Sequence, residues 1–372
     1  MAPSGTQQIL LSPPELHFLS SSLSQTPPIR PDLRSATQFR PLVAETNVLP
    51  STNGSARVCF SDGTEAVAGV KLELERSPPS RSISSTGTDT RNEEVRSTNE
   101  FRTTLVQGSD AWLEVSIEIP GFRDDESLPM FLAAMLSEAL LANGNVQDKL
   151  WINDRWHWKL YIDILSLSPP LSYPLPLLSL TTHMALLSTA LPRLKSDPKD
   201  DPLFDDDWAA AVPLFPRAAS GVYAVRPPIT LLVITIGDNI IFDPTKEELA
   251  VANGVVAVSV APQLTTVAAP AETSLELVAI RFVDPPSRLT PAGILNSRNP
   301  ATAAGVAAST STTQQTPSVH GRSGAGQGQN AVWSPPCGGL NRKLLAKIMV
   351  AILQTDGVAF QILEALAAVE IR

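Results

Sequence analysis

Four arginines are the residues of this sequence best suited to bind an anion. Arg30, Arg34 and Arg40 lie in a stretch that is too rich in proline and charge to be the interior of a helix, and Arg123 lies just before the acidic start of a predicted helix. A guanidinium group forms paired hydrogen bonds with phosphate or carboxylate oxygens, so each side chain is a candidate for such a contact. The first three could equally be plain surface charges of an extended arm, and Arg123 is a candidate on position alone.

Other groups that could carry chemistry give weaker signals. Asp238 and Asp243 could form a pair of metal ligands, but one follows a glycine and the other precedes a proline, and turn residues are the simpler interpretation. The histidines lack zinc-binding spacing, and His157 is expected on the outward face of a strand. The glycine-rich stretch 321–328 follows no strand and opens no helix, so it does not predict a phosphate-binding loop. The sequence predicts no catalytic residue, no metal site and no cofactor.

Charge and cysteine content limit the class of protein. The 372 residues carry a formal charge of −9, which argues against a protein that coats nucleic acid by bulk attraction. The aspartate-rich segment 197–207 supplies much of this charge and is expected to be a solvated loop, so basic patches remain possible elsewhere. Cys59 and Cys337 cannot form a disulfide framework, and the N-terminus has no pattern typical of a secretory signal. An intracellular, reducing compartment is expected.

Periodicity in the first half predicts helices packed against one face of a sheet. Apolar residues alternate on both sides of Asp62-Gly63, a pair typical of a tight hairpin turn. The uncharged region 165–191 is long enough to raise the question of a membrane span, but four prolines interrupt its first half, and 177–191 is expected to be a buried helix. The predicted elements are a short helix capped by Ser12, strands at 56–61, 66–74, 112–119 and 156–165, and helices at 128–141 and 177–191.

The second half predicts a further α+β unit and a helical C-terminus. Its predicted elements are strands at 229–236, 240–242, 255–260 and 275–283, and helical runs at 340–353 and 358–371. Composition divides the chain into an N-terminal helix and arm (1–29), a first unit (30–195) with a flexible insertion (76–110), an acidic and proline-rich linker (196–225), a second unit (226–290), a disordered insertion (291–337) and C-terminal helices (338–372).

Several short motifs resemble those of a known family. Four motifs resemble the opening of RNase PH family proteins: RPDLR at 30–34, FRPL at 39–42, NGSA at 53–56 and GVK at 69–71. The resemblance is greatest to the eukaryotic exosome ring subunits related to the non-catalytic subunit of the archaeal ring. Support comes from the sequence INDRWHWKLYIDIL at 152–165, from DPT followed by two glutamates at 243–248, and from GGL at 338–340. The resemblance covers roughly residues 15–290 and 338–372.

This resemblance implies a fold, a function and partners. The fold would be α+β and RNase PH-like, with two β-α-β units, mixed sheets and a C-terminal helix. The chain would be a non-catalytic structural and RNA-binding subunit of the RNA exosome core ring, supporting 3′-to-5′ RNA degradation and processing, including rRNA maturation and mRNA turnover. Its partners would be other RNase PH-like ring subunits, RNA-binding cap subunits and single-stranded RNA, with no membrane, in the nucleus, nucleolus and cytoplasm.

The resemblance also gives the four arginines a role. Arg30, Arg34, Arg40 and Arg123 become candidates for RNA binding or subunit assembly. Replacing the first three with alanine is expected to weaken ring assembly or RNA retention without changing the fold.

The chain departs from active relatives where phosphorolysis would take place. In those relatives a loop similar to Gly-Gly-Thr-Arg follows the strand that corresponds to 160–165, and arginines lie on the helix that corresponds to 128–141. Here the loop 168–174 reads SPPLSYP, without arginine, and its prolines remove backbone donors. The helix has Glu138 as its only charge. An inactive subunit is therefore expected. The alternatives are an active phosphate-dependent 3′-to-5′ exoribonuclease that uses other residues, and an unrelated α+β protein.

Overall fold

The structure, a computed structural model, describes residues 11–77, 108–197, 200–217, 223, 225–262, 274–289, 333–336 and 338–369. The two predicted insertions, 76–110 and 291–337, lie almost entirely outside the described residues. The predictions made for them, and for the glycine-rich stretch 321–328, therefore stay predictions.

The described residues form seven α-helices, twelve strands and three short 3-10 turns. The elements up to residue 191 are α1 (Pro13–Leu23), β1 (Leu42–Thr46), β2 (Gly54–Phe60), β3 (Glu65–Arg76), β4 (Leu113–Glu118), α2 (Ser127–Leu141), α3 (Asn145–Leu150), β5 (Trp151–Asn153), β6 (Trp156–Ser166), α4 (Leu175–Ser188) and β7 (Ala190–Leu191). The later elements are β8 (Val212–Pro213), β9 (Ile229–Ile236), β10 (Asn239–Phe242), α5 (Lys246–Leu249), β11 (Gly254–Pro262), β12 (Leu275–Val283), α6 (Arg342–Leu353) and α7 (Val358–Ala367).

The first sheet is mixed and has the order β1-β2-β3-β6-β4, with β5 also paired to β6. Only β4 and β6 run parallel, in a register that places Leu113 opposite Leu160; the other pairs are antiparallel. Parallel neighbours need a long crossover connection, and here α2 and α3 lie between them in the chain. The predicted hairpin forms between β2 and β3, where Gly63 adopts a φ of +84°. Strand β1 was not predicted.

Helix α4 is buried along its whole length, as predicted for the uncharged region. Its C-terminal end meets the start of β2, where Ser188 Oγ donates to Ser55 O and accepts from Ser55 N, both at 3.0 Å. A Cβ atom on Gly54 would lie 2.5 Å from the backbone Cα of Thr189. Glycine at this position therefore permits the close contact between β2 and the end of α4.

The second sheet has the order β10-β9-β11-β12, and every residue of β9 and β11 is buried. Strands buried on both faces have continuous apolar sequences, which is why the pattern predicted them correctly. Together with the mixed first sheet and the C-terminal helices, this confirms the predicted α+β fold class.

The chain divides into two compact units, and each unit is built from three separate segments of the sequence. One takes in Met1–Gln38, Val233–Val256 and Phe282–Ile348, and the other takes in Phe39–Leu232, Ala257–Arg281 and Met349–Arg372. The linear domain boundaries given above stay predictions.

The C-terminal stretch Arg342–Ala367 is long and apolar enough to cross a membrane, with a mean hydropathy of 1.4 in its most apolar window. It does not form one continuous helix. Helix α6 ends at Leu353 and α7 begins at Val358, and between them Asp356 has a φ of +70°. The turn interrupts the stretch near its middle, where a spanning helix would need an unbroken backbone ladder.

Candidate functional site

Arg30 is a buried residue that binds a buried carboxylate. Its Nε donates to Glu248 Oε1 at 2.7 Å and its Nη2 donates to Glu248 Oε2 at 2.8 Å, and both side chains have 0% exposure. Further donations reach the carbonyl oxygens of Phe242 (3.2 Å) and Asp243 (3.0 Å). This bidentate geometry fixes Arg30 to the end of β10 and to α5.

Glu248 is positioned by the first turn of α5. Thr245 is the N-cap residue, its backbone N donates to Glu248 Oε2 at 2.8 Å, and Glu248 N donates to Thr245 Oγ1 at 3.4 Å. This capping box orients the carboxylate while its oxygens accept from Arg30. The glutamate pair after Asp243-Pro244-Thr245, first noticed as a family motif, is thus part of a helix start.

Arg34 binds the second acidic group of this region. Its Nη1 donates to Asp243 Oδ2 at 2.8 Å and its Nε donates to Asp32 Oδ2 at 2.5 Å. Asp243 has a φ of +48°, which suits its interpretation as a turn residue. Burial raises the pKa of Asp32, but the hydrogen bonds and positive charges of Arg34 and Arg30 outweigh it and hold that pKa below its usual value.

Arg40 belongs to the other unit, where it precedes β1 and contacts the β2–β3 hairpin. Its Nη1 donates to Asp62 Oδ2 at 2.5 Å, and its guanidinium carbon lies 4.5 Å from the ring centroid of Phe60. Burial raises the pKa of Asp62, while hydrogen bonds from Thr64 and the charge of Arg40 lower it by more, so its pKa is below the usual value.

Arg123 is the one exposed member of the four. Its side chain is 79% exposed and pairs with Asp125 at 3.1 Å. The alternative that Arg30 and Arg40 are plain surface charges is wrong, because both are buried with partners in the chain. The RNA-binding or assembly role of all four stays a prediction. The expectation that replacing Arg30 leaves the fold intact is not compatible with its geometry, because Glu248 would be left as an unpaired buried charge.

The loop after β6 lacks cations where active relatives would hold phosphate. Residues 167–188 contain no lysine or arginine. Helix α4 begins at Leu175, and the first turn also contains Pro176 and Leu177, all buried. A helix N-terminus attracts anions through free backbone N–H groups, but Pro174 and Pro176 have none and the first turn is buried.

The same loop is fixed by bonds within the chain. Ser168 Oγ accepts from Glu65 N at 3.0 Å, and Ser166 Oγ donates to Ser168 O at 2.9 Å. Burial raises the pKa of Tyr173 to about 12, so its hydroxyl stays neutral. These groups hold a closed turn and offer no cation to a phosphate.

Glu138, the charged residue of helix α2, has a partner that the sequence did not predict. Glu138 Oε2 accepts from Arg281 Nε at 2.8 Å and from Arg281 Nη2 at 2.6 Å. Arg281 belongs to β12, and its pairing over 143 positions has no local signal in the sequence. The arginine is engaged by a carboxylate, whereas in active relatives arginines extend from the helix itself.

His157 is enclosed by other side chains of the sheet and its neighbouring turn. His157 is 3% exposed, stacks on Trp112 with ring centroids 4.3 Å apart, and lies 3.0 Å from Ser77 Oγ through Nδ1. Its predicted position on an outward strand face is therefore wrong, because the 3-10 turn that carries Trp112 covers this end of β6. Burial lowers its pKa. Among the described residues, no group of three or more His, Cys, Asp or Glu side chains could hold a metal ion.

Comparison with known proteins assigns the chain to a family, although no family model matches it. Over 244 residues it is 31% identical to the exosome complex component RRP42 of Saccharomyces cerevisiae, covering 65% of this chain and 78% of that protein. Over 266 residues it is 31% identical to the exosome complex component rrp42 of Schizosaccharomyces pombe, covering 67% and 78%. The chain belongs to the Rrp42 family of exosome complex components, and the recognition of an exosome ring subunit from its motifs is confirmed.

Solved structures with some similarity include an archaeal exosome core (19% identity, TM-score 0.46, covering 72% of this chain and 84% of that one). Another is the Archaeoglobus fulgidus exosome with RNA bound to the active site (19% identity, TM-score 0.47, covering 73% and 87%). Scores of this size support no statement about the function of this chain.

Proposed function

We propose that this chain is a structural subunit of the exosome core ring that has no phosphorolytic site of its own. In this role it contributes shape, subunit contacts and part of the RNA-contacting surface to a complex that degrades and processes RNA in the 3′-to-5′ direction. The family membership supports the place in the complex, and the geometry supports the lack of catalysis.

The observation that carries the proposal is the apolar first turn of α4. Phosphorolysis needs a site that holds inorganic phosphate next to the scissile phosphodiester, with cationic or N–H donors for its oxygens. At this turn Pro174 and Pro176 have no backbone N–H, the leucines beside them are buried, and the preceding loop contributes no cation. Desolvating a phosphate here without compensating donors would cost several kcal/mol.

The acidic residues of the second half support the same proposal. Asp243 and Glu248 accept hydrogen bonds from Arg34 and Arg30, so their charges are compensated within the chain. A carboxylate used in this way is not available to neutralise a divalent ion beside a substrate.

The partners follow from the same role. We expect other RNase PH-like ring subunits and cap subunits as neighbours and single-stranded RNA as ligand, in the nucleus, nucleolus and cytoplasm where exosome-dependent RNA processing takes place. Rings of this kind are built from heterologous contacts that must close, so the chain is expected to be incorporated in one defined place.

The lack of catalysis is tested by incubating the purified chain, and a core complex reconstituted with it, with single-stranded RNA, orthophosphate and Mg²⁺. The isolated chain should release no nucleoside diphosphate. Any release by the core should be the same with wild-type chain and with the variants Arg123→Gln and Arg281→Gln, which remove the arginines nearest to α2. Release that either substitution abolishes would overturn the proposal in favour of an active exoribonuclease.

A further inference from the structure

The exposed face of α6 carries a cluster of cations. Arg342, Lys343 and Lys347 are all exposed, and none of them has an acidic partner within ion-pair distance among the described residues. The first turn of the helix has no acidic residue either. We call these three residues the α6 cation cluster.

The other exposed cations of the described residues are more often paired with a carboxylate. Among the described residues, five of the eight other exposed basic side chains have a carboxylate within 4 Å, and some of the partly exposed ones do as well. These pairs include Arg57–Glu65, Lys71–Glu73, Arg155–Asp201, Lys159–Glu114, Lys195–Asp205 and Arg281–Glu138. The α6 cation cluster therefore leaves its charge available to a ligand outside the described chain.

The position of the cluster works against the stability of its own helix. The N-terminal turn of a helix has a partial positive charge from its free N–H groups, and cations there are unfavourable. Arg342 and Lys343 are the first two residues of α6, and Asn341 Oδ1 accepts from Lys343 N at 3.2 Å. An anion bound beside this turn would remove the conflict between the side-chain charges and the helix.

The geometry suits an extended polyanion. Lys343 and Lys347 lie one turn apart, about 6 Å along the helix axis, and Arg342 widens the cluster sideways. On the approach to the helix, Gly339 has a φ of +97°, and a Cβ atom placed on it would meet nothing within 4 Å. The exposed residues of 339–350 include no aromatic side chain on which a base could stack.

We propose that the α6 cation cluster binds phosphates of the single-stranded RNA backbone without reading its base sequence. This proposal rests on the proposed function, since it names the surface through which a non-catalytic exosome subunit contacts RNA. Arg342, Lys343 and Lys347 act as phosphate contacts, and the open Gly339 lets the strand approach the first turn.

The test uses the full-length chain and a fluorescein-labelled oligouridylate, with the dissociation constant measured by anisotropy between 50 and 200 mM KCl. The triple variant R342Q/K343Q/K347Q is compared with R57Q/K71Q/R281Q, which loses the same charge at paired sites. Each phosphate contact on a single strand contributes about 0.7 to the salt slope, so the cluster variant should lose about 2 from that slope. Over this salt range, the wild-type chain should then lose about 20-fold more affinity than the cluster variant. The control should keep the wild-type slope.

The proposal is overturned if the cluster variant keeps the wild-type slope, if the control loses as much, or if the wild-type chain binds no oligouridylate. Competition experiments would show whether the cluster prefers a ligand of another class. Displacement of RNA by polyglutamate at equal charge concentration, or tighter binding to phosphatidylserine vesicles than to RNA, would contradict the assignment to RNA. Incorporation of the cluster variant into a reconstituted core, measured separately, shows whether the proposed structural role persists when the RNA contact is lost.

Discussion

Arg30 and Glu248 form a bidentate ion pair between two side chains that are fully buried and 218 positions apart in sequence. The pair explains two motifs that first pointed to the family, the arm at 30–34 and the glutamates after Asp243-Pro244-Thr245. The first motif supplies the guanidinium group, and the second supplies the carboxylate, which the capping box with Thr245 orients. Both motifs therefore serve the architecture of one unit.

Arg30→Ala should lower the free energy of unfolding by about 3–5 kcal/mol, because it leaves a buried carboxylate without its partner. Urea-induced unfolding followed by circular dichroism measures the change. Arg123→Ala is the matched control, since Arg123 is exposed and its pairing with Asp125 is screened by solvent. A loss for Arg30→Ala no larger than that for Arg123→Ala would show that the buried pair does not stabilise the fold.

Gly54→Ala should also destabilise the chain, for a steric reason. The added Cβ would lie 2.5 Å from Cα and 2.6 Å from N of Thr189, and backbone atoms cannot move aside as a side chain can. Overpacking of this kind costs about 1–3 kcal/mol. Gly69→Ala provides the comparison, because its Cβ would meet only side-chain methyl groups of Leu49 and Thr52 at 3.3 Å. Thermal unfolding that ranks Gly69→Ala as the more damaging change would contradict the packing of β2 against the end of α4.

His183 should make stability depend on pH in the weakly acidic range. Burial lowers its pKa to about 4, its Nδ1 bonds to Pro227 O at 2.9 Å, and Arg226 adds a repelling charge. Since the folded pKa is below that of the unfolded chain, about 6.5, the unfolded state takes up the proton first as the pH falls. Stability contributed by the neutral imidazole is complete above pH 6.5 and declines towards pH 4, by roughly 3 kcal/mol in total.

The measurement that tests this prediction is the slope of the unfolding free energy against pH between pH 4 and 6.5, in the wild-type chain and in a His183 variant. His183→Gln should reduce this slope by about 1.4 kcal/mol per pH unit, whatever its effect on absolute stability. His17→Gln, at an exposed position of α1, is the matched control for a histidine substitution. Equal slopes for the wild-type chain and His183→Gln would show that His183 is not buried in its neutral form.

Lys149 should react with acylating reagents at an unusually low pH. Burial lowers its pKa to about 8, while its Nζ lies 2.5 Å from Leu214 O and 4.3 Å from the ring centroid of Phe215. The pH midpoint of acetylation, followed by peptide mass spectrometry, should lie near 8 in the folded chain and near 10.4 in urea. The same midpoint under both conditions would indicate that the amine is solvated.

The elements that the sequence predicted best are those whose pattern depends on local burial. Strands β9 and β11 and helix α4 have continuous apolar sequences, and the β2–β3 hairpin has alternation around a turn pair, so each could be predicted without knowledge of its neighbours. The lack of cations in the loop before α4 was likewise readable from composition alone.

What the sequence could not predict depends on contacts between distant positions. His157 was expected to face solvent, which was wrong. Alternation distinguishes the two faces of a strand, but it does not show that the distant Trp112 covers one of them. The burial of Arg30 was not predicted because nothing near it in the sequence indicates a carboxylate at position 248. The pairing of Arg281 with Glu138 was missed for the same reason.

The central claim is that this chain is a non-catalytic structural subunit of the exosome core. The composition of the complex that the chain forms in the cell tests its place in that core most directly. An affinity-tagged full-length chain should be purified at native levels, and the mass of the intact complex measured. The account predicts one copy of this chain in a stoichiometric complex with several different exosome core components. A chain recovered alone, or in a complex without such components, would contradict the account.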